Sequence, residues 1–136
     1  IQRDTLKKPP CYDNCFVLTN PPYLARNKNK NKDLYDDNDC NDLYKCFIKH
    51  LINSECLGGI VILPLNFICS IRKSDIELRR LFLQKFIIVI INIFEERVFD
   101  DTSYSVCSIQ FTKNIDKVEG NTIKTFIYIL KWTIIY

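Results

Sequence analysis

The sequence predicts an α/β fold, a doubly wound sheet with helices on both faces, and three observations carry that expectation. β-branched and other apolar residues run almost unbroken over strand-length stretches at 60–63 and 86–94, the pattern of buried strands, and 105–112 reads as another strand. Between them lie two stretches, 41–55 and one beginning near Ser74, whose apolar residues recur at helical spacing instead. Strand and helix therefore alternate, as in βαβ units rather than hairpins.

In chain order, residues 7–14 hold Pro9 and Pro10 and read as a loop. The run Cys15-Phe16-Val17-Leu18-Thr19 predicts a short buried strand that stops at Asn20-Pro21-Pro22-Tyr23. Residues 28–40 are polar and are expected to be mobile. Over 41–55, Leu43, Phe47 and Leu51 with Cys46, Ile48 and Ile52 make a helical stripe, and Gly58 and Gly59 follow as stop signals. The strand at 60–63 ends at Pro64, and 66–70 is expected to loop at the same sheet edge as the Asn-Pro-Pro-Tyr turn. Ser74-Asp75-Ile76-Glu77 has the form of a capping box, and Leu78, Leu81, Phe82 and Phe86 continue the stripe behind it. Phe86–Phe94 is too β-branched for a helix and far shorter than the roughly 20 residues that span a bilayer, so it predicts a central strand. The stretch 122–136 is again apolar, β-branched and aromatic, expected to cover an edge or begin a further domain.

The Asn-Pro-Pro-Tyr turn is the chemically informative part. Two consecutive prolines fix two φ angles and withhold two backbone donors, so the turn is stiff and its carbonyls are free to accept from elsewhere. It stands at the carboxyl end of a strand, where open α/β sheets bind ligands. Asn20 offers one acceptor oxygen, the Pro21 carbonyl a second, and Tyr23 an aromatic face. An sp² amino group giving one hydrogen to each oxygen, with its ring stacked on Tyr23, is drawn toward tetrahedral geometry. Its lone pair then leaves the ring's conjugation and becomes nucleophilic, with no general base.

This turn resembles the catalytic motif of the S-adenosylmethionine-dependent amino-methyltransferases that methylate adenine N6 in DNA, as in restriction-modification systems. Other stretches are similar to that family's pattern in the same order. Asp4-Thr5-Leu6 resembles its acidic motif, and Asp42-Leu43-Tyr44-Lys45-Cys46-Phe47 resembles the helix after the catalytic loop. Gly58-Gly59-Ile60-Val61-Ile62-Leu63-Pro64 is similar to the next strand, and Phe99 with Ser105-Val106-Cys107-Ser108-Ile109-Gln110-Phe111 to the segment whose Phe packs on a flipped base. The resemblance covers residues 1–113 and implies a partial Rossmann-like methyltransferase sheet whose last strand is antiparallel, with 114–136 a linker and the start of a C-terminal extension. It implies Asn20, Pro21, Pro22 and Tyr23 as catalytic, Tyr23 and Phe99 as contacts to the target base, and Asp4, Thr5, Pro22 and Phe47 as contacts to S-adenosylmethionine. The family's Gly-rich cofactor loop has no counterpart, since the only glycines are Gly58, Gly59 and Gly120. The chain is therefore expected to lack the N-terminal part of its domain and to be inactive alone.

Composition is that of a globular chain: 47% hydrophobic and 26% charged over 136 residues. The net charge of +3 is uneven, with seven Lys or Arg against two Asp over residues 1–32. Arg26, Lys28, Lys30 and Lys32, interleaved with Asn just after Tyr23, are candidate contacts to DNA phosphates; the alternative is a solvated loop of low complexity. Seven cysteines with no Cys-x-x-Cys pair, and a single histidine, His50, give no zinc pattern. Cys46, Cys69 and Cys107 sit in apolar runs and are expected to be buried, His50 to be a surface helix residue, and the compartment to be intracellular and reducing. No membrane segment or signal peptide is expected. A protein methyltransferase acting on a glutamine amide shares the turn for the same electronic reason, and an inactive remnant that binds nucleic acid or a partner is the non-enzymatic alternative.

Overall fold

The structure, a computed structural model, describes residues 4–95, 98–99, 105–116 and 123–128. Five strands, β1 (Phe16–Thr19), β2 (Gly58–Pro64), β3 (Phe86–Phe94), β4 (Val106–Lys113) and β5 (Lys124–Tyr128), form one sheet in the order β1-β2-β4-β3-β5. β1 pairs parallel with β2 and β5 parallel with β3, while β4 is inserted antiparallel between β2 and β3. All strands but β4 thus point one way, and the carboxyl ends of β1, β2 and β3 share one sheet edge. The antiparallel strand implied by the resemblance is β4; the later β5 is parallel and adds to the edge beyond β3.

Among the described residues four α-helices, α1 (Asp33–Asp37), α2 (Leu43–Ile52), α3 (Asn66–Cys69) and α4 (Lys73–Lys85), and a 3₁₀ turn at Arg26–Lys28 accompany the sheet. Their buried side chains join a single core with Val61, Leu63, Ile88, Ile91, Cys107, Ile109 and Phe111, which alternate along β2, β3 and β4 onto one face. At the centre of that core Phe82 of α4 meets Phe67, Phe86 and Phe111 with ring centroids 5.0–5.5 Å apart. Each such ring contributes about 1.5–3 kcal/mol by leaving water, and the tilted and edge-on pairings add to that.

The α/β sheet with helices around it is the architecture the sequence predicts. At its β1 edge one face is open among the described residues: Phe16 is 74% exposed and Leu18 81%, and Leu18 lies beside Ile60 in the parallel register. β1, read as a buried strand, is therefore an edge strand with bare apolar side chains, because an apolar run states only that a face can be covered.

Other local expectations are corrected for identifiable reasons. Gly58 and Gly59 do not stop the helix, which ends at Ile52; they open β2. A Cβ on Gly59 would stand 2.0 Å from the Val17 carbonyl oxygen, and one on Gly58 2.5 Å from that of Phe111, so both permit close strand approach. The capping box is not formed: α4 starts at Lys73 with Arg72 as N-cap and no side-chain cap. Ser74 instead bonds Asp75, and Glu77 is held by Arg80. Residues 66–70, expected to loop, contain the helical turn α3. Residues 28–40, expected to be mobile, contain α1 and the fully buried Tyr35, whose hydroxyl donates to the Leu24 carbonyl at 3.0 Å and accepts from Asn29. Cys46 and Cys107 are buried as expected, but Cys69 is exposed. His50 is half-buried, with Nδ1 shut off from solvent and unbonded among the described residues.

Candidate functional site

Asn20 follows the last residue of β1, so the Asn-Pro-Pro-Tyr turn stands at the carboxyl edge of the sheet. Asn20 and Pro22 are exposed, Pro21 is buried and Tyr23 half-buried. The Tyr23 hydroxyl lies 2.6 Å from Asn20 Oδ1 and 2.8 Å from the carbonyl oxygen of Ile62 on β2. A phenol has one proton and so donates to one of these at a time. Both contacts are satisfied together when the hydroxyl donates to Ile62 and the Asn20 amide turns its NH₂ to the phenol oxygen. That arrangement leaves the amide oxygen of Asn20 facing away from Tyr23, free to accept. The Pro21 carbonyl takes no hydrogen bond among the described residues, so the turn presents one free acceptor and, in that amide orientation, a second.

Burial first, and the Cys107 thiol second, hold the Tyr23 hydroxyl well above the ordinary phenol range, so it stays protonated at neutral pH. Burial likewise pushes Cys107 up to about 12. Tyr44 of α2 stands edge-on to the Tyr23 ring, centroids 6.3 Å apart at 83°. Its hydroxyl is also raised, by burial and then by Asp75 and Asp42. The segment after Tyr23 is tied to the start of α2 by an antiparallel bridge between Ala25 and Asp42, with Leu43 N–H donating to the Leu24 carbonyl.

The remaining predicted residues fall in three places. Arg26, Lys28, Lys30 and Lys32 follow the turn in the chain; Arg26 gives Nε and Nη2 to Asp36 at 3.1 and 2.7 Å, and the three lysines are exposed. Phe99 is half-buried in the connection from β3 to β4, which topology places at the same sheet edge as the turn. Asp4 and Thr5 are exposed in a turn before β1, where Asp4 Oδ1 accepts from the N–H groups of Leu6 and Lys7 at 3.0 and 3.2 Å. Phe47 is only 4% exposed, its ring edge-on to Tyr12 at 5.9 Å. Topology thus puts the turn and the connection that carries Phe99 at one sheet edge, with Arg26 and Lys32 lining a cleft there; Asp4 is occupied by its own turn.

No protein-family model matches the chain, and no curated protein does. Among solved structures the fold is similar to that of a modification subunit assigned to a type I restriction enzyme from Vibrio vulnificus YJ016. The TM-score is 0.59 at 17% identity, over 79% of this chain and 25% of that one. That likeness establishes the α/β architecture, and the chain spans about a quarter of that subunit's length.

Sequence reasoning missed a buried polar network beside the turn. Lys45 of α2 pairs with Asp75 of α4, both under a tenth exposed; Asn41 Oδ1 accepts from Lys45 at 2.7 Å, and Ser70 donates to Asp75 at 2.6 Å. Burial alone would raise the Asp75 carboxyl, but the bonds from Lys45 and Ser70 outweigh it and hold it below the ordinary value. The available signal was Lys45 itself, a charge set among the apolar positions of the α2 stripe. With Tyr44, Pro64, Asn66 and Arg72, this network lines a cleft of about 770 Å³.

Proposed function

We propose that this chain supplies the methyl-accepting part of a DNA adenine N6-methyltransferase. The observation that carries the reading is the turn itself: the acceptor oxygens of Asn20 and Pro21 stand at a sheet edge beside the Tyr23 ring, the Pro21 carbonyl unbonded among the described residues and the Asn20 oxygen released by the amide orientation in which Tyr23 donates to Ile62. The similarity in fold to a restriction enzyme's modification subunit supports the class, and the turn's resemblance to the amino-methyltransferase motif supports the target atom.

An adenine turned out of the duplex donates one amino hydrogen to Asn20 Oδ1 and one to the Pro21 carbonyl. Its ring lies on Tyr23, and Phe99 closes on it from the connection after β3. Held so, the nitrogen lone pair is drawn out of the purine ring and becomes nucleophilic. The proton lost after methylation goes to water, because neither acceptor is a base and the Tyr23 hydroxyl keeps its own proton. Arg26, Lys28, Lys30 and Lys32 attract the phosphates.

S-adenosylmethionine is the donor this reading proposes, and it supplies an electrophilic methyl group when bound. Asp4, Thr5, Pro22 and Phe47 are the proposed contacts, but the described residues do not fit its methionine part. Gly58 and Gly59 are locked between strands, and Asp4 is engaged with its own backbone. The cradle is assigned to polypeptide other than the described residues, and calorimetry of the 136-residue chain should detect no S-adenosylmethionine binding tighter than millimolar. Micromolar binding would return the cradle to this chain.

The same grip suits a glutamine side-chain amide, and the cationic segment after Tyr23 favours nucleic acid over that substrate. Tritiated methyl transfer by the longest polypeptide containing these residues decides between them: label on adenine supports the proposal, and label confined to a glutamine peptide replaces it.

A further inference from the structure

The cleft beside the turn has a charge and a position that nothing above accounts for. Its walls are the segment Ala25, Arg26, Asn27 and Lys32 on one side, and Asn66, Ser70, Ile71 and Arg72 on the other. Lys45 and Asp75 at its base neutralise each other. Asp42 is engaged as N-cap of α2, accepting from the Tyr44 N–H. Arg26 shares Asp36, which lies outside the lining. Two cations then remain without an ion-pair partner among the described residues, Lys32 and Arg72, one on each wall.

Neutral donors stand between them. The exposed amides of Asn27 and Asn66 line the cleft, and the first turn of α4 beside Arg72 has no side-chain cap over its N–H groups. Such a lining matches an anion that also carries hydrogen-bond acceptors along its length. The wall nearest the turn is Tyr44, edge-on to Tyr23, and Pro64 lies two residues beyond the Ile62 carbonyl that holds the Tyr23 hydroxyl. Whatever lies on Tyr23 is therefore continuous with whatever fills the cleft.

We infer that this cleft receives the sugar-phosphate backbone next to the base held at Asn20, with Arg72 and Lys32 as its opposed phosphate contacts. The inference rests on the nucleic-acid reading proposed above and adds to it Arg72, a residue that the basic run after Tyr23 gave no reason to choose. Of that run only Arg26 and Lys32 line the cleft; Lys28 and Lys30 lie outside it and act through charge alone.

The test is the salt dependence of binding of a short fluorescent single-stranded oligonucleotide to the 136-residue chain. Each phosphate contact contributes about 0.7 to the slope of log K against log salt for a single strand. Arg72→Ala should lower the slope by about that amount, as much as Lys32→Ala does, while Arg72→Lys keeps most of it and Lys28→Ala changes it less. An oligomer of abasic sugar-phosphate units should lose the same increment with Arg72→Ala, since the contact is to the backbone. Arg72 is exposed and forms no salt bridge among the described residues, though its charge helps to hold the Asp75 carboxyl low, so the fold should tolerate the change. An unaltered slope in Arg72→Ala, or binding no stronger than that of an uncharged peptide nucleic acid, overturns the cleft. If the slope falls as expected while the methyl label goes to protein, the cleft stands and the adenine reading falls; label on adenine with an unaltered slope sinks the cleft alone.

Discussion

Two polar constellations lie within one helix of each other in this protein, and they are built in opposite ways. Around Lys45 the charged groups are buried and matched: the ammonium to Asp75 and Asn41, the Asp75 carboxylate to Ser70 as well. At the Asn20 turn Asn20 is exposed and Tyr23 half-buried, and the Asn20 and Pro21 oxygens have no partner in the arrangement that satisfies Tyr23. A closed network holds α2 against α4 and has nothing left to offer a ligand. An open one contributes little to folding and can act on something else. The buried, matched cluster is accordingly the structural one, and the plainer turn is the candidate site.

The largest effect expected from this contrast is on stability. Lys45→Ala leaves the Asp75 carboxylate buried without its partner and should cost about 3–5 kcal/mol in denaturant unfolding, whereas replacing both residues, Lys45→Met with Asp75→Leu, should recover most of that loss. If the double variant proved as unstable as the single one, the pair would be serving as more than a matched bolt between helices.

Acid should separate the two regions next. Because the folded Asp75 carboxyl is held below its ordinary value of 3.8, its contribution is fully present above that pH and is lost as pH falls through the lower folded value. Urea melts from pH 5 to pH 2 should show a drop that the Lys45→Met/Asp75→Leu variant shares only in part. The turn has no such dependence: neither an amide nor a proline carbonyl titrates near neutrality, and Tyr23 is raised. A single-turnover chemical step should be flat between about pH 6.5 and 8.5, and a bell-shaped profile would point to a base the turn lacks.

The smallest effect is expected at the Tyr23 hydroxyl. Tyr23→Phe keeps the ring and removes the bond to Ile62, at about 0.5–1.5 kcal/mol of stability, and it frees the Asn20 amide to take either orientation. Binding of an adenine-containing strand should weaken less than with Tyr23→Ala, where the stacking surface is lost at about 1–3 kcal/mol. Equal losses in the two variants would mean that the hydroxyl, not the ring, is what the base requires.

Much of this contrast could be read from the sequence on one side and little on the other. Asn20-Pro21-Pro22-Tyr23 announces itself because two prolines beside an amide leave few conformations open, and its place after β1 follows from the apolar run before it. Phe86–Phe94 is likewise a strand throughout, since nine residues so rich in Ile and Val suit little else. Lys45–Asp75 was hidden because its partners are 30 positions apart and a lysine on a helix ordinarily points to water. Tyr35 was hidden in a polar run, where one ring finding a buried slot orders a segment that composition alone marks as loose. Phe16 and Leu18 show the reverse limit, for their apolar pattern says nothing about what lies over the open face.

The most direct test of the central claim, that Asn20 is a neutral acceptor for the reacting amine, is single-turnover methyl transfer to adenine in DNA by the longest polypeptide containing these residues, compared with its Asn20→Ala variant. Loss of a preorganised polar contact to a reacting group is typically worth 10²- to 10³-fold in rate, so the variant should fall by at least about 3 kcal/mol of transition-state stabilisation. DNA binding should be unchanged, and Asn20→Asp, which keeps an acceptor oxygen in place, should retain measurable activity. An Asn20→Ala enzyme as fast as the wild type would contradict the account and leave the turn as scaffold.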